Sequence, residues 1–506
     1  MEIRLSSAQG RWIILTTVLG SSMALLDGTV VNVALPHIGD DLNADLAALQ
    51  WTVNAYTLTL AALILLGGSL GDRYGRRRIF VVGVVWFGIG SLLCGIAPTA
   101  DLLILARALQ GIGGALLVPG SLAIIQGSFH PDDRARAVGV WSGLGGVGAA
   151  VGPFLGGYLV DGPGWRWVFL INLPLAAICV PVALRHAPES RDPAHHGRFD
   201  VTGAVLGAGA LALVTYALIA KELWSGIAGV VVAVGFVLYE HRRPDPMLPL
   251  SIFRSRLFTS VNLVTLCVYA AFGGFFFLGS LQLQVVVGYS ALGAGAALLP
   301  TTALMLLFSA RSGELAGKIG PRIPLTVGPL LCAAGLLLML RVGQGASYVA
   351  DILPALLVLG LGMVTIVAPL TATVLASVEV GRAGLASGVN NAAARAAGLL
   401  AVAALPLIAG TSPEAFRSAT EFNHTFRTSM PWCAGILVVG SVIAFLTVRT
   451  PKVAAGAAGA PDGHEQPECR IHCGLSSPPL EPVRGLEPRR SGEGGTGDRP
   501  ATDGGR

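Results

Sequence analysis

Charge is what this chain has least of. Of its 506 residues, 29 are acidic and 34 basic, so 12% are charged, whereas soluble domains carry about 25%. With 53% hydrophobic residues and a mean hydropathy of +0.68, that deficit excludes an ordinary water-soluble protein. Cysteine is sparse, and five of the seven, Cys94, Cys179, Cys267, Cys332 and Cys433, sit singly in apolar runs. That placement suits small apolar packing and excludes a disulfide framework. Cys469 and Cys473, near His464 and His472, form a C-x-x-x-C without a second pair, a weak metal pattern, so neither metal nor cofactor is expected. The chain has no H-E-x-x-H, no paired deep carboxylates and no G-x-x-x-x-G-K-[ST] loop, so nothing points to an enzyme or to ATP drive. No cleavable leader is expected either: the first apolar run is too long, carries Asp27 and precedes no small-residue cleavage site.

What is present is a series of apolar runs of about 20 residues, the length that crosses a bilayer. Fourteen are expected, at 12–36, 49–70, 79–97, 101–125, 135–159, 166–185, 200–220, 224–240, 258–283, 291–311, 323–341, 350–374, 384–410 and 430–448. Seventeen Lys and Arg residues, from Arg73 to Arg382, fall in loops after even-numbered spans, against five after odd-numbered ones (Arg166, Lys221, Arg341, Arg417 and Arg427). Positive residues are retained on the inner side, so both termini are expected in the cytoplasm of a multi-pass inner-membrane protein. The net charge of +5 is then a topology signal and implies no nucleic-acid partner. From Pro451 onward the chain is rich in Gly, Pro, Arg and Glu and poor in large apolar residues, the composition of a disordered tail.

A repeat organises these runs. Gly68–Arg77, GSLGDRYGRR, aligns with Gly313–Arg322, GELAGKIGPR: Gly68 with Gly313, Leu70 with Leu315, Arg73 with Lys318, Gly75 with Gly320, Arg77 with Arg322. Asp72 is replaced by Gly317 in the second copy. The first copy joins spans two and three and the second joins spans ten and eleven, an advance of eight, so fourteen divides as six, two and six. Parallel halves of this kind place a substrate site between them near the midplane. The expected divisions are a first half at 1–190, an inserted pair with its loops at 191–257, a second half at 258–450 and the tail at 451–506.

The stretch Gly68–Arg78 resembles the signature loop of major facilitator superfamily transporters. LLDGTVVNVALP (Leu25 to Pro36), QWTVNAYTL (Gln50 to Leu58), LILARALQGIGGA (Leu103 to Ala115), GAAVGPFLGGYL (Gly148 to Leu159), WRWVFLINLP (Trp165 to Pro174) and DPMLPLSIFRSRLF (Asp245 to Phe258) resemble the fourteen-helix drug:proton antiporters, relatives of EmrB and QacA. The resemblance covers roughly residues 12 to 450. It implies an all-α membrane protein of the major facilitator fold that acts as a proton-coupled multidrug or small-molecule efflux transporter. Its expected partners are a small lipophilic substrate, H⁺ and the lipid bilayer, and it is expected to work as a monomer. Export of a dedicated metabolite (amino acid, peptide or siderophore), coupling to Na⁺, or an uncoupled receptor or scaffold remain open alternatives.

Ionisable side chains deep in a span are costly and functional by default. Three lie there: Asp27, Arg107 and Arg395. Asp27 is the deep carboxylate and the expected proton carrier, with Arg107 as its fixed counter-charge; the resemblance implies the same role for the span-one acid. A purely structural Asp27–Arg107 pair is the alternative. Gly68, Asp72, Arg73, Gly75 and Arg76 are expected to form a conformational latch, an acid at a helix end interacting with a neighbouring helix dipole. Gly148, Gly152, Pro153, Gly156 and Gly157 make span five thin, either to seal the halves against proton leak or for ordinary close packing. Candidate substrate-cavity residues are Asn32, Asn54, Tyr56, Gln110, Tyr269, Gln282, Asn390, Asn391 and Arg395, each of a type that also ties membrane helices together. Two deep arginines against one deep acid favour a neutral, weakly anionic or zwitterionic substrate over a dication.

Overall fold

The computed structural model describes residues 3–191, 200–378, 383–412 and 415–448. Sixteen α-helices follow in order: α1 (Ala8–Asp41), α2 (Leu46–Tyr74), α3 (Arg76–Gly95), α4 (Ala100–Ser128), α5 (Pro131–Asp161), α6 (Trp167–Leu170), α7 (Asn172–His186), α8 (Val201–Ala220), α9 (Leu223–Arg242), α10 (Arg256–Leu281), α11 (Ala291–Ala297), α12 (Leu299–Ile319), α13 (Arg322–Leu338), α14 (Leu353–Ala376), α15 (Ala383–Ile408) and α16 (Ala419–Thr447). Among the described residues the only non-helical pairing is an isolated bridge between Ile3 and Phe129. Thirteen helical segments are long and apolar enough to cross a membrane. They match thirteen of the expected runs, with α6 joined to α7 and α11 to α12. The remaining expected run, 135–159, lies in the 31-residue, glycine-rich α5. The C-terminal tail, with Cys469 and Cys473, and Arg382 lie outside the described residues.

Local chemistry sets where the helices start. Ser7, Asp45, Thr99, Asp200, Ser255, Ser290 and Ser418 each precede a helix and accept a hydrogen bond from a backbone N–H in its first turn, which satisfies one of the orphan donors there. Large apolar side chains such as Val205, Leu223, Trp224 and Val231 point outward, as lipid-facing residues must. α8 and α9 are the least enclosed helices, with 22% and 11% of their apolar windows buried. They pack on one another and α8 also touches α2 and α15. A polar clasp closes this pair. Asp200 accepts from Gly203 N (2.8 Å) and Met247 N (3.2 Å), and Glu240 accepts from Leu248 N (2.9 Å). Both carboxylates crowd Gly203, where a side chain would collide with them.

The internal repeat is visible in three dimensions. Gly75 (φ 116°) ends α2 and its counterpart Gly320 (φ 82°) ends α12, both in the left-handed region that glycine alone enters freely. Arg77 donates to Leu184 O (3.4 Å) and Ala187 O (3.1 Å) at the end of α7, while Arg322 donates to Phe445 O (3.0 Å) at the end of α16. Eight residues beyond each turn glycine, Gly83 lies against Gly113 O and Gly328 against Gly362 O. Glycine at both positions lets α3 meet α4, and α13 meet α14, at backbone contact, which is how helices associate where lipid removes the hydrophobic drive.

Hydrogen bonds between the helices before α8 and those after α9 cluster at the end of the bundle opposite the α2–α3 turn. Gln50 Nε2 donates to Val402 O (2.6 Å) and Ala403 O (3.3 Å), Gln284 Nε2 to Val33 O (2.9 Å), and Asp161 accepts from Ala291 N (3.2 Å) and Leu292 N (2.9 Å). A side chain on Gly157 would strike the backbone of Ala291 and Leu292, and one on Gly295 the backbone of Pro153. Glycine at these two places therefore permits the close seal.

Candidate functional site

Asp27 sits in the middle of α1 and Arg107 in the first third of α4, and neither is in contact with solvent (0% and 1% exposed). Arg107 Nη1 donates to Asp27 Oδ2 at 2.5 Å and to Gln110 Oε1 at 2.6 Å, while its Nε donates to Thr52 O at 3.0 Å. Gln110 Nε2 reaches back to Asp27 Oδ1 (2.7 Å) and to Ser91 Oγ (2.8 Å), and Asn172 Nδ2 adds a longer contact to Asp27 Oδ1 (3.4 Å). The guanidinium lies 4.3 Å from the Tyr56 ring centroid and 5.6 Å from that of Phe169, positions where an aromatic face attracts a cation. One acid is thus held by three donors from α4 and α7, and its cation by two acceptors and two rings. Such saturation is what makes a buried ion pair tolerable, since desolvating two charges costs several kcal/mol each.

This network absorbs two residues expected in a substrate cavity. Tyr56 is buried and donates to Ala24 O (3.1 Å), and Gln110 bridges the ion pair; both belong to the shell of Asp27. Other candidates serve as ties between helices. Asn390 Nδ2 donates to Asn262 Oδ1 (3.1 Å) and Thr265 Oγ1 (2.8 Å), joining α15 to α10. Gln282 donates to Val342 O and Asn423 Oδ1, both at 2.8 Å. Asn391 is exposed and bonds only back to Ser387 O (3.0 Å). Asn32 is half-buried, with a 3.4 Å bond to Gly28 O and an unpartnered Oδ1. Tyr269 is half-buried, edge-on to Phe272 with ring centroids 6.0 Å apart. Asn54 is buried with both amide atoms unpartnered, and Arg395 Nε is unpartnered as well.

The α2–α3 turn packs on α4 and on the segment that follows α7. Asp72 Oδ1 accepts from Arg76 Nε (2.9 Å), and Arg73 lies 5.7 Å from the Tyr74 ring centroid. Gly68 faces Pro119, and Gly75 has the Glu189 carboxylate against it. Glu189 also accepts from Arg77 N (3.1 Å) and Arg78 N (3.2 Å), an acid placed on the free N–H groups of a helix start. In α5, Gly148, Gly152 and Gly156 lie on Ser22, Thr29 and Val30 of α1, while Pro153 and Gly157 meet α11. The glycines of α5 therefore permit close contact with α1 on one side and α11 on the other.

Sequence reading missed Thr52, Ser91, Asn172 and Glu189. Asn172 carried the signal used for Asn32, a carboxamide inside an apolar run; Ser91 and Thr52 carried none, because small hydroxyl residues are common in membrane helices and Thr52 acts through its carbonyl. No group of three or more metal-ligating side chains occurs among the described residues.

A bundle of membrane-length helices with an internally repeated turn and a saturated ion pair in its interior has the build of a multi-pass membrane transporter. Residues 17–402 match the Major Facilitator Superfamily, and the chain belongs to that family. It is 36% identical over 478 residues to the puromycin resistance protein pur8 of Streptomyces alboniger, covering 89% of this chain and 94% of the relative. It is 35% identical to the tetracenomycin C resistance and export protein of Streptomyces glaucescens, covering 78% and 75%. The drug efflux pump JefA of Mycobacterium tuberculosis is 36% identical, covering 79% and 80%. Among solved structures, a bacterial homolog of the human lysosomal transporter Spinster, inward-facing, superposes with a TM-score of 0.62 at 18% identity over 87% of this chain and 97% of that one. The POT family transporter PepTSo gives 0.64 at 15% identity over 86% and 97%. At such identities these two establish the fold.

Proposed function

We propose that the chain is a proton-coupled exporter of small lipophilic molecules, built from two six-helix halves with α8 and α9 as an inserted pair, and that Asp27 carries the proton. The observation that carries the reading is the buried Asp27, whose three donors and fixed Arg107 partner make its charge state matter to α1, α2, α4 and α7 together. Relatives named for drug resistance and export support the efflux direction, and the resemblance of the motifs supports reading the chain as a fourteen-helix antiporter. Protonating Asp27 removes the anion that holds Arg107, leaving Gln110 and Thr52 O as the guanidinium's remaining anchors and loosening α1 from α4. We assign the α2–α3 turn to the cytoplasmic side from the arginine bias, and the hydrogen bonds at the opposite end support reading this as an inward-open state. Gly68, Asp72, Arg73, Gly75 and Arg76 then latch the alternate, outward-open state.

Proton release from purified protein tests this, using rhodamine 123, chloramphenicol and fluorescein as cationic, neutral and anionic additions. Wild type is expected to release protons on binding at least one of them and Asp27→Asn none. Release that persists in the variant moves the carrier elsewhere and leaves Asp27 as a structural partner of Arg107.

A further inference from the structure

The bundle encloses two arginines in very different ways. Arg107 has an ion pair, two further hydrogen bonds and two aromatic faces. Arg395, in α15, has neither an ion pair nor a hydrogen bond among the described residues, and its Nε is buried without a partner. A guanidinium stays charged at any relevant pH, and an uncompensated charge at membrane depth is expensive enough that such residues are found paired or serving function. The Asp27 carboxylate is fully engaged by Arg107, Gln110 and Asn172.

Its surroundings show what can reach it. α2 and α15 run antiparallel along their seam: Gln50 bonds to Val402 O at one end, and Gly388 faces Leu65 at the other. Arg395 falls between these anchors, on the same side of α15 as Gly388 and Val402 by helical spacing. It lies within the electrostatic reach of Tyr56 from α2 and Tyr269 from α10, so it stands between the two halves, where this fold holds its substrate. Asn391, one turn earlier on α15, is exposed, which leaves an approach from that side. Neither tyrosine can neutralise a guanidinium while it keeps its phenolic proton.

We infer that Arg395 recognises an anionic group of the substrate, a carboxylate or phenolate on a lipophilic body, and that the bound molecule supplies the counter-charge the protein omits. The assignment rests on the exporter reading above and names its substrate class. A planar guanidinium with all its donors free presents the fork that binds carboxylates in bidentate fashion. Asn54, one turn after Gln50 on α2 and so on the same side of that helix, is buried with both amide atoms unpartnered and is the second polar group that would meet the substrate when α2 parts from α15.

Fluorescein and rhodamine 123 share a xanthene body and differ in charge, so they serve as probes. Binding is read by anisotropy on the full chain in phosphatidylcholine nanodiscs, and transport by dye movement in proteoliposomes under a pH gradient. Wild type is expected to bind fluorescein more tightly than rhodamine 123. Arg395→Gln should weaken fluorescein binding about ten-fold or more, the worth of a charge-assisted hydrogen bond, and leave rhodamine 123 binding within two-fold; Arg395→Lys should restore part of the loss. Equal weakening of both dyes, no weakening, or no fluorescein binding by wild type overturns the anion assignment. Competition by added phosphatidylglycerol that Arg395→Gln abolishes reassigns the residue to a lipid headgroup and overturns it too. Binding that follows the expected pattern without gradient-driven transport leaves Arg395 assigned and sinks the exporter reading instead.

Discussion

Gln110 bonds both members of the Asp27–Arg107 pair, accepting from Arg107 Nη1 at 2.6 Å and donating to Asp27 Oδ1 at 2.7 Å. One amide therefore reads the charge of the acid and the position of the base together. Replacing Gln110 by Leu removes a donor from the carboxylate and an acceptor from the guanidinium, and should cost about 1–3 kcal/mol for each buried group left short. Gln110→Leu should lower the Tm in detergent and slow transport, and an unchanged Tm would mean that neither buried group depends on Gln110.

Breaking the pair and replacing it are different experiments. Arg107→Ala strands a buried carboxylate and should lower stability by about 3–5 kcal/mol, seen as a lower Tm in detergent. Asp27→Leu combined with Arg107→Met exchanges the charges for apolar bulk and should recover most of that loss, yet move no substrate. A double variant no more stable than Arg107→Ala would contradict the account of the pair as a desolvated, costly element kept for function.

Two glycines of α5 should behave unequally. A side chain at Gly157 meets the backbone of Ala291 and Leu292 across the seal, whereas one at Gly152 meets the Thr29 side chain, which can rotate. Gly157→Ala should open the sealed end and Gly152→Ala should leave it closed. Spin labels at the exposed Tyr158 and Val349 (61% and 71% exposed) report the separation by double electron–electron resonance. Identical distance distributions in the two variants would refute the role given to Gly157.

The clasp at Asp200 carries a pH signature. Burial works to raise this carboxyl, but hydrogen bonds from Gly203 N, Glu240 and Met247 N and the nearby Arg243 charge outweigh it and hold Asp200 below the usual carboxylate value. A group depressed in the folded state adds stability that is complete above its unfolded value of about 3.9 and is lost as pH falls through the folded one. With Glu240→Gln in both proteins, so that Asp200 is the carboxyl of the clasp that titrates, the Tm gap between Asp200 and Asp200→Asn should therefore be constant from pH 7 to about pH 4 and close below it. A gap that widens in acid would assign the clasp to another group.

Much of the architecture was legible from local properties. Apolar length alone placed the spans, because whether a run of about 20 residues prefers lipid depends on that run and not on its neighbours. The repeat was legible as well: Gly75 and Gly320 aligned as letters and both proved to need a left-handed turn. Asp27, Arg107 and Arg395 stood out because charge is rare at that depth. Which polar groups would meet was not legible. Asp27 and Arg107 are 80 residues apart, and Tyr56, Gln110 and Asn390 looked alike in sequence to Asn54 and Arg395. The first three are consumed by partners and the last two are left short, because hydrogen bonding depends on the depth and rotation of each helix. Those are fixed by backbone contacts at glycines, Gly83 and Gly113 between the consecutive α3 and α4 and Gly157 between helices distant in the chain. Sequence determined what enters the membrane; the packing of one helix on another decided which charge is neutralised inside the protein and which is left without a counter-charge among the described residues.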